Sequence, residues 1–145
     1  MDDWSDLKEW ASDIMEEQVK EEQKFIANTF MEHVTQPAMY RGQTGRTPVD
    51  SGRLMANTVV SVNKVDNNDY DREDEDGIDT RIIAAMKIGQ APAYSKIYIQ
   101  NNVRDEDSGK PYAYQADVLG WSRTPAYRFF TLSWQNTLAE TGDRN

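Results

Sequence analysis

The residues able to do chemistry are few, and the densest group of them lies in one short stretch. Residues 66–79 hold eight acids (Asp66, Asp69, Asp71, Glu73, Asp74, Glu75, Asp76, Asp79) against a single arginine, Arg72. Carboxylates at this density suggest calcium. An EF-hand loop needs Asp at position 1, oxygen ligands at 3 and 5, Gly at 6 and Glu at 12. With Gly77 at position 6, Asp74 and Asp76 fall correctly, but position 1 is Arg72 and position 12 is Ile83. The stretch reads as a solvated loop. The one histidine, His33, stands beside Glu32, and adjacent helix positions do not face each other. Its place near a helix C-terminus suits a contact with the helix dipole. There is no cysteine, so thiolate nucleophiles, thiolate metal sites and a disulfide framework are excluded. No Gly-x-Ser-x-Gly elbow and no phosphate-binding glycine loop occurs, and nothing selects a pair of carboxylates for acid–base work. The expectation is a chain with no catalytic residue, no cofactor and no metal.

The second half interleaves Tyr94, Tyr98, Tyr112, Tyr114, Trp121 and Tyr127 with Lys96, Lys110, Arg123 and Arg128. Such a mixture could stack on single-stranded nucleic acid. It equally suits a core with an oligomer interface, where Tyr, Trp and Arg are enriched. The acidic flanking loops favour the second reading.

The elements that position these residues follow from periodicity. Trp4, Leu7, Ala11 and Ile14 keep a 3–4 spacing, and Phe25, Thr29 and Phe30 resume it, with Asp3 or Asp6 as cap. Residues 1–36 therefore form one long helix, stopped by Pro37. Its middle, Glu16 to Lys24, has one large apolar residue, Val19, so the helix projects or packs on a neighbouring subunit. A single α+β domain is expected over 37–145. A loop over 37–47 leads to a short helix capped by Asp50 and reaching about Asn57. Val60 and Val62 then alternate as in a strand. Ile82, Ala84, Met86 and Ile88 alternate as a second strand, and Ile97, Ile99 and Val103 as a third. Tyr112 to Leu119 reads as helical, with Gly120 as left-handed C-cap. Thr124-Pro125 looks like a helix start, continued by Tyr127, Phe130, Trp134 and Leu138. Phe130, Leu132 and Trp134 also alternate as a strand would, and the start signal favours helix. The expected fold is α+β: a long N-terminal helix, an antiparallel sheet of three to four strands with an acidic inter-strand loop, and one or two C-terminal helices packed on the sheet.

The 145 residues carry a net charge of −9, and its distribution is uneven. Residues 1–35 hold ten acids and three lysines. Together with 66–79 they supply the whole deficit, and the rest is mildly basic. Tight general DNA binding needs a large basic area, so the balance disfavours it. It does not disfavour surrounding DNA without gripping it. The start lacks the basic and apolar regions of a signal peptide. The longest apolar run, Ile82 to Met86, is far short of the ~20 residues that span a bilayer. A soluble protein made in the cytoplasm, with no membrane partner, is expected.

Two segments resemble a known pattern. Thr47-Pro48-Val49-Asp50-Ser51-Gly52-Arg53-Leu54 resembles the TPVDTGRL signature of tailed-bacteriophage neck and tail-completion (head–tail joining) proteins. Lys110-Pro111-Tyr112-Ala113, followed by Leu119-Gly120-Trp121-Ser122-Arg123-Thr124-Pro125-Ala126, resembles that family's C-terminal pattern. Their order and spacing are similar to the family over roughly residues 45–140. The family usually has a glutamate shortly before the glycine; here Val118 takes that place and Asp117 lies three residues ahead of Gly120. Locally, Pro48 stiffens the entry, Asp50 caps, Gly52 allows close approach and Leu54 starts an apolar face. Arg53 can reach a carboxylate or carbonyl on a neighbour.

The resemblance implies a structural virion protein of the head–tail connector, forming a homo-oligomeric ring around the DNA channel. Its implied partners are connector, head-completion, tail terminator or tail tube proteins, with genomic DNA passing through unbound. Pro48, Asp50, Ser51, Gly52, Arg53, Leu54, Pro111, Tyr112, Ala113, Gly120, Trp121, Pro125 and Arg128 are the implied motif and interface residues. A tail terminator capping the tail tube is the alternative, and a nucleic-acid-binding accessory module a weaker one. The implied location is the virion neck or tail, with assembly in the host cytoplasm.

Overall fold

A computed structural model describes residues 3–142; positions 1–2 and 143–145, at the ends of the two expected segments, lie outside the described residues. The chain runs α1 (Asp3–Val34), α2 (Arg53–Ala56), β1 (Thr58–Val62), α3 (Ile78–Gln90), β2 (Ile97–Asn101), α4 (Tyr112–Tyr114) continued by a π-helical turn (Gln115–Leu119), and α5 (Phe129–Gly142). The class is α+β, but among the described residues the sheet has two strands, not three to four. β1 and β2 pair antiparallel with Val60 opposite Ile99.

The missing strand is α3. Residues 82–88 alternate apolar and polar in part, yet the same segment places Thr80, Ala84 and Ile88 four apart, and these three are the buried ones. Thirteen residues exceed the usual strand length. The helical period prevails because the segment starts on a strong cap. The Asp74 carboxylate accepts the Thr80 N–H at 2.7 Å and the Gly77 N–H at 3.2 Å, and the Thr80 hydroxyl at 2.5 Å. These bonds satisfy N–H groups that a helix start otherwise leaves open.

The core forms where α1, α3 and β1 meet. Phe30, Met31 and Val34 of α1 pack with Leu54, Val60, Ala84, Ile88, Val103 and Phe129. α5 packs on α1 rather than on the sheet, which α3 covers. Phe30 meets Phe130 edge-on at 5.0 Å and Trp134 at 6.0 Å. The buried side of α5 carries Ser133, Thr137 and Thr141. The Thr137 and Thr141 hydroxyls donate to carbonyls four residues back, each at 2.7 Å, so these polar groups are satisfied within the helix.

α5 begins at Phe129, not at Thr124-Pro125. Its cap comes from elsewhere in the chain. One Asp117 carboxylate oxygen accepts the N–H groups of Phe130 (2.8 Å) and Thr131 (3.1 Å), and the other accepts the Thr131 hydroxyl (2.6 Å). Gly120 is not a left-handed C-cap either. Its φ of 68° goes with ψ −164°, a region essentially reserved for glycine. A Cβ there would lie 2.5 Å from the Ala126 nitrogen.

α1 is continuous, but only its second half belongs to the core. Residues 3–18 are all exposed. Gln23 is an anchor between helix and body: it donates to the Pro92 carbonyl (3.0 Å) and accepts the Tyr94 N–H (2.6 Å). Among the described residues no helix is long and apolar enough to cross a membrane.

Candidate functional site

The two segments that carry the family resemblance lie about sixty residues apart in sequence and meet in space. The first begins by closing the loop after α1. Thr47 is fully buried; its hydroxyl donates to the Val34 carbonyl (2.5 Å), its N–H to the Gln36 carbonyl (2.9 Å), and its carbonyl accepts the Ala38 N–H (2.8 Å). The loop is then stitched to the second segment, with the Gly45 N–H donating to the Tyr127 carbonyl at 2.6 Å. A cleft of about 740 Å³ is lined by Pro48 and Asp50 of the first segment, by Tyr112, Trp121 and Tyr127 of the second, and by Arg41 and Arg123. Its aromatic wall is continuous. Tyr112 lies 6.0 Å from Trp121, and Trp121 meets Tyr127 edge-on at 6.3 Å. Burial first, and then the charge of Asp50, push the Tyr112 hydroxyl above its ordinary pKa.

Each position in the first segment has a distinct role. Asp50 is exposed and does not cap α2. The N-cap is Gly52, at φ 88°, with no side-chain hydrogen bond, and the Ser51 hydroxyl accepts the Arg53 N–H at 3.4 Å. Gly52 is needed for contact: its carbonyl accepts the Asp74 N–H at 2.9 Å, and a Cβ would fall 2.7 Å from that nitrogen. Arg53 spends its guanidinium inside its own chain. It donates to Asp69 at 2.6 Å and to the Arg104 carbonyl at 2.9 Å. Leu54 is buried in the core. A second depression of about 450 Å³ lies beside the first and shares Pro48, Asp50 and Tyr112 with it.

Docking against this segment changes the reading of the acidic stretch. It is a loop only as far as Gly77, and half of it is held down. Tyr70 exchanges backbone bonds with the Asn57 side chain (2.7 and 2.9 Å), and its hydroxyl donates to Asp66 at 2.7 Å. Arg72 lies 4.7 Å over the Tyr70 ring and donates to the Ala56 carbonyl. Burial opposes the charge on Asp74, but the hydrogen bonds from Thr80 and Gly77 outweigh it and hold the carboxyl below its ordinary pKa. Asp66 is lowered in the same way, by Tyr70 and Asn68 against burial. Asp71, Glu73, Glu75, Asp76 and Asp79 remain exposed.

In the second segment, Pro111 bridges Arg104, and the Tyr112 N–H donates to the Val103 carbonyl at 3.0 Å. Ala113 is half-buried against the core. Trp121 and Thr124 close a tight turn that presents Pro125. Arg128, exposed and at φ 53°, sits just before α5. His33 bonds Glu140 of α5 at 2.8 Å instead of merely facing the end of α1. Among the described residues no three His, Cys, Asp or Glu groups gather as metal ligands. Sequence reasoning did not assign Asp74 and Asp117 as helix caps, nor the Asn57–Tyr70 pair that pins the acidic stretch to the end of α2. The only local signal was Asp74, followed by Gly77 and Thr80 at helix-start spacing.

Comparison with protein families, curated proteins and solved structures finds no match.

Proposed function

We propose that the chain is a structural subunit of a bacteriophage head–tail connector, a neck or tail-completion protein that forms a ring around the DNA channel and joins tail to head. The observation that carries this reading is the splice between the two resembling segments. Pro48 and Asp50 of one and Tyr112 and Trp121 of the other line a single cleft, so the two segments belong to one surface. The cleft joins aromatic rings to two arginines, a composition typical of protein interfaces. The exposed acids suit a subunit bordering a DNA passage, since they repel phosphates. The partners on this reading are further copies of the chain and the connector, terminator or tail tube proteins on either side, and the location is the virion neck.

Deleting the gene from the phage that encodes it tests this. Filled heads and complete tails should accumulate unjoined, and purified protein added to that mixture should restore infectious particles. Infectious particles in its absence would overturn the reading. Tails of aberrant length would move the assignment to a tail terminator.

A further inference from the structure

Among the described residues two stripes of apolar side chains are left exposed. The first lies on the projecting half of α1, where Leu7, Trp10 (62% exposed), Ile14 and Met15 share one side with Ala11. At 100° per residue this side lies opposite the one through which Ala27, Phe30, Met31 and Val34 enter the core. The stripe therefore does not extend the packing of α1 on its own body, and an unbroken helix anchored at Gln23 cannot fold back to reach it. The second stripe is the outer face of α3. Ile78, Ile82 and Met86 stand at four-residue intervals and are about half exposed. Ala85 and Gly89 lie between them, and nothing stands within 4 Å of a Cβ at Gly89. Since Thr80, Ala84 and Ile88 face inward, α3 is apolar on both faces, the pattern of a helix covered on both sides.

We infer that the projecting half of α1 docks on the outer face of α3 in a second copy of this chain. This builds on the ring reading above by naming the contact that closes it. The dimensions agree: Leu7 to Met15 and Ile78 to Met86 are nine residues each, about 12 Å of helix. The charges agree as well. At the same spacing Asp6, Asp13 and Glu17 border one edge of the stripe on α1, and Lys8 stands at the other. Residues 80–104 carry Arg81, Lys87, Lys96 and Arg104 and no acid. The acids near the seat, Glu75, Asp76 and Asp79, are confined to its N-terminal end. Arg81, half-buried at the edge of this face, is the cation on α3 nearest its apolar row. Pairing α1 with another α1 would set acidic flanks against each other, which disfavours it. A stripe on one element meeting a different stripe on another makes a heterologous contact, the kind that propagates head to tail and closes into rings.

Sedimentation of two exposed-site variants and their mixture tests the docking. The unaltered chain should form a closed oligomer. W10E and I82E, each at an exposed position, should remain folded monomers, and their equimolar mixture should give a dimer, because one species keeps a good helix and the other a good seat. The chain has no cysteine, so mixed A11C and A85C chains should cross-link to each other, while A11C alone should not. An I82E chain that still assembles, or an A11C chain that cross-links to itself, would overturn the seat while leaving the ring intact. A monomeric unaltered chain would overturn the second copy as occupant. The connector reading would then stand or fall on the gene-deletion result alone.

Discussion

Asp74 and Asp117 are buried carboxylates with the same task, each supplying acceptors to the first turn of a helix in place of a cap from the residue before it. Removing such a group leaves several buried N–H donors unpaired, at about 1–3 kcal/mol. D117A should therefore lower stability by about 2 kcal/mol, read as a drop of several degrees in Tm, with D117N losing less because an amide oxygen can still accept. Asp74 also makes acid stability predictable. Its folded pKa lies below the unfolded one, so the stability it contributes is complete above about pH 4 and is lost as the pH falls through the folded value. Acid titration of D74N should show a shallower loss of stability below about pH 4 than the parent chain. A comparable loss in both would place the sensitivity elsewhere. Gly52 is the third such position. G52A meets a left-handed φ and a backbone nitrogen at 2.7 Å, and should cost about 3 kcal/mol in chemical unfolding.

The elements differ in how far the sequence disclosed them. α1, β1 and β2 rest on local period and were legible from Trp4, Leu7 and Ile14, and from Val60 and Val62. α3 was not, because Ile82, Ala84, Met86 and Ile88 satisfy a strand alternation while Thr80, Ala84 and Ile88 satisfy a helix. What decided between them was a carboxylate that precedes the segment and is held in place by Gly52. The start of α5 was misplaced for a similar reason: Thr124-Pro125 has the local chemistry of a helix start, but the working cap is Asp117, on another element. Both errors are non-local. The α3 assignment carries its own check. I88A should cost about 3 kcal/mol, while I82A, measured on dilute protein, should stay within about 0.5 kcal/mol. A strand with Ile82 and Ile88 on one buried face would make the two costs similar.

At the scale of the whole molecule, the charge layout matters more than its sum. Part of the acidic stretch is consumed internally, by Arg53 holding Asp69 and by the cap on α3. The acids that remain outward lie on the projecting helix and around the start of α3. The cleft joining the two family-like segments was legible in the sequence only as two motifs. Their convergence depends on contacts such as Gly45 to Tyr127, which no spacing announces. A chain with this balance should give no retardation of duplex DNA at physiological salt, and weak binding at most when salt is lowered. Firm, steeply salt-dependent binding would contradict a passive lining.

The four tryptophans are divided between the two parts of the molecule. Trp4 and Trp10 stand on the projecting half of α1, while Trp121 and Trp134 lie against aromatic rings of the body. The ultraviolet emission of the chain is thus a sum of two solvated indoles and two partly sheltered ones. Covering the exposed half of α1 would shift the first pair to shorter wavelength and leave the second unchanged. On the ring reading proposed above, this division is an intrinsic optical reporter of assembly, one that needs no label and would follow the kinetics of ring closure in real time.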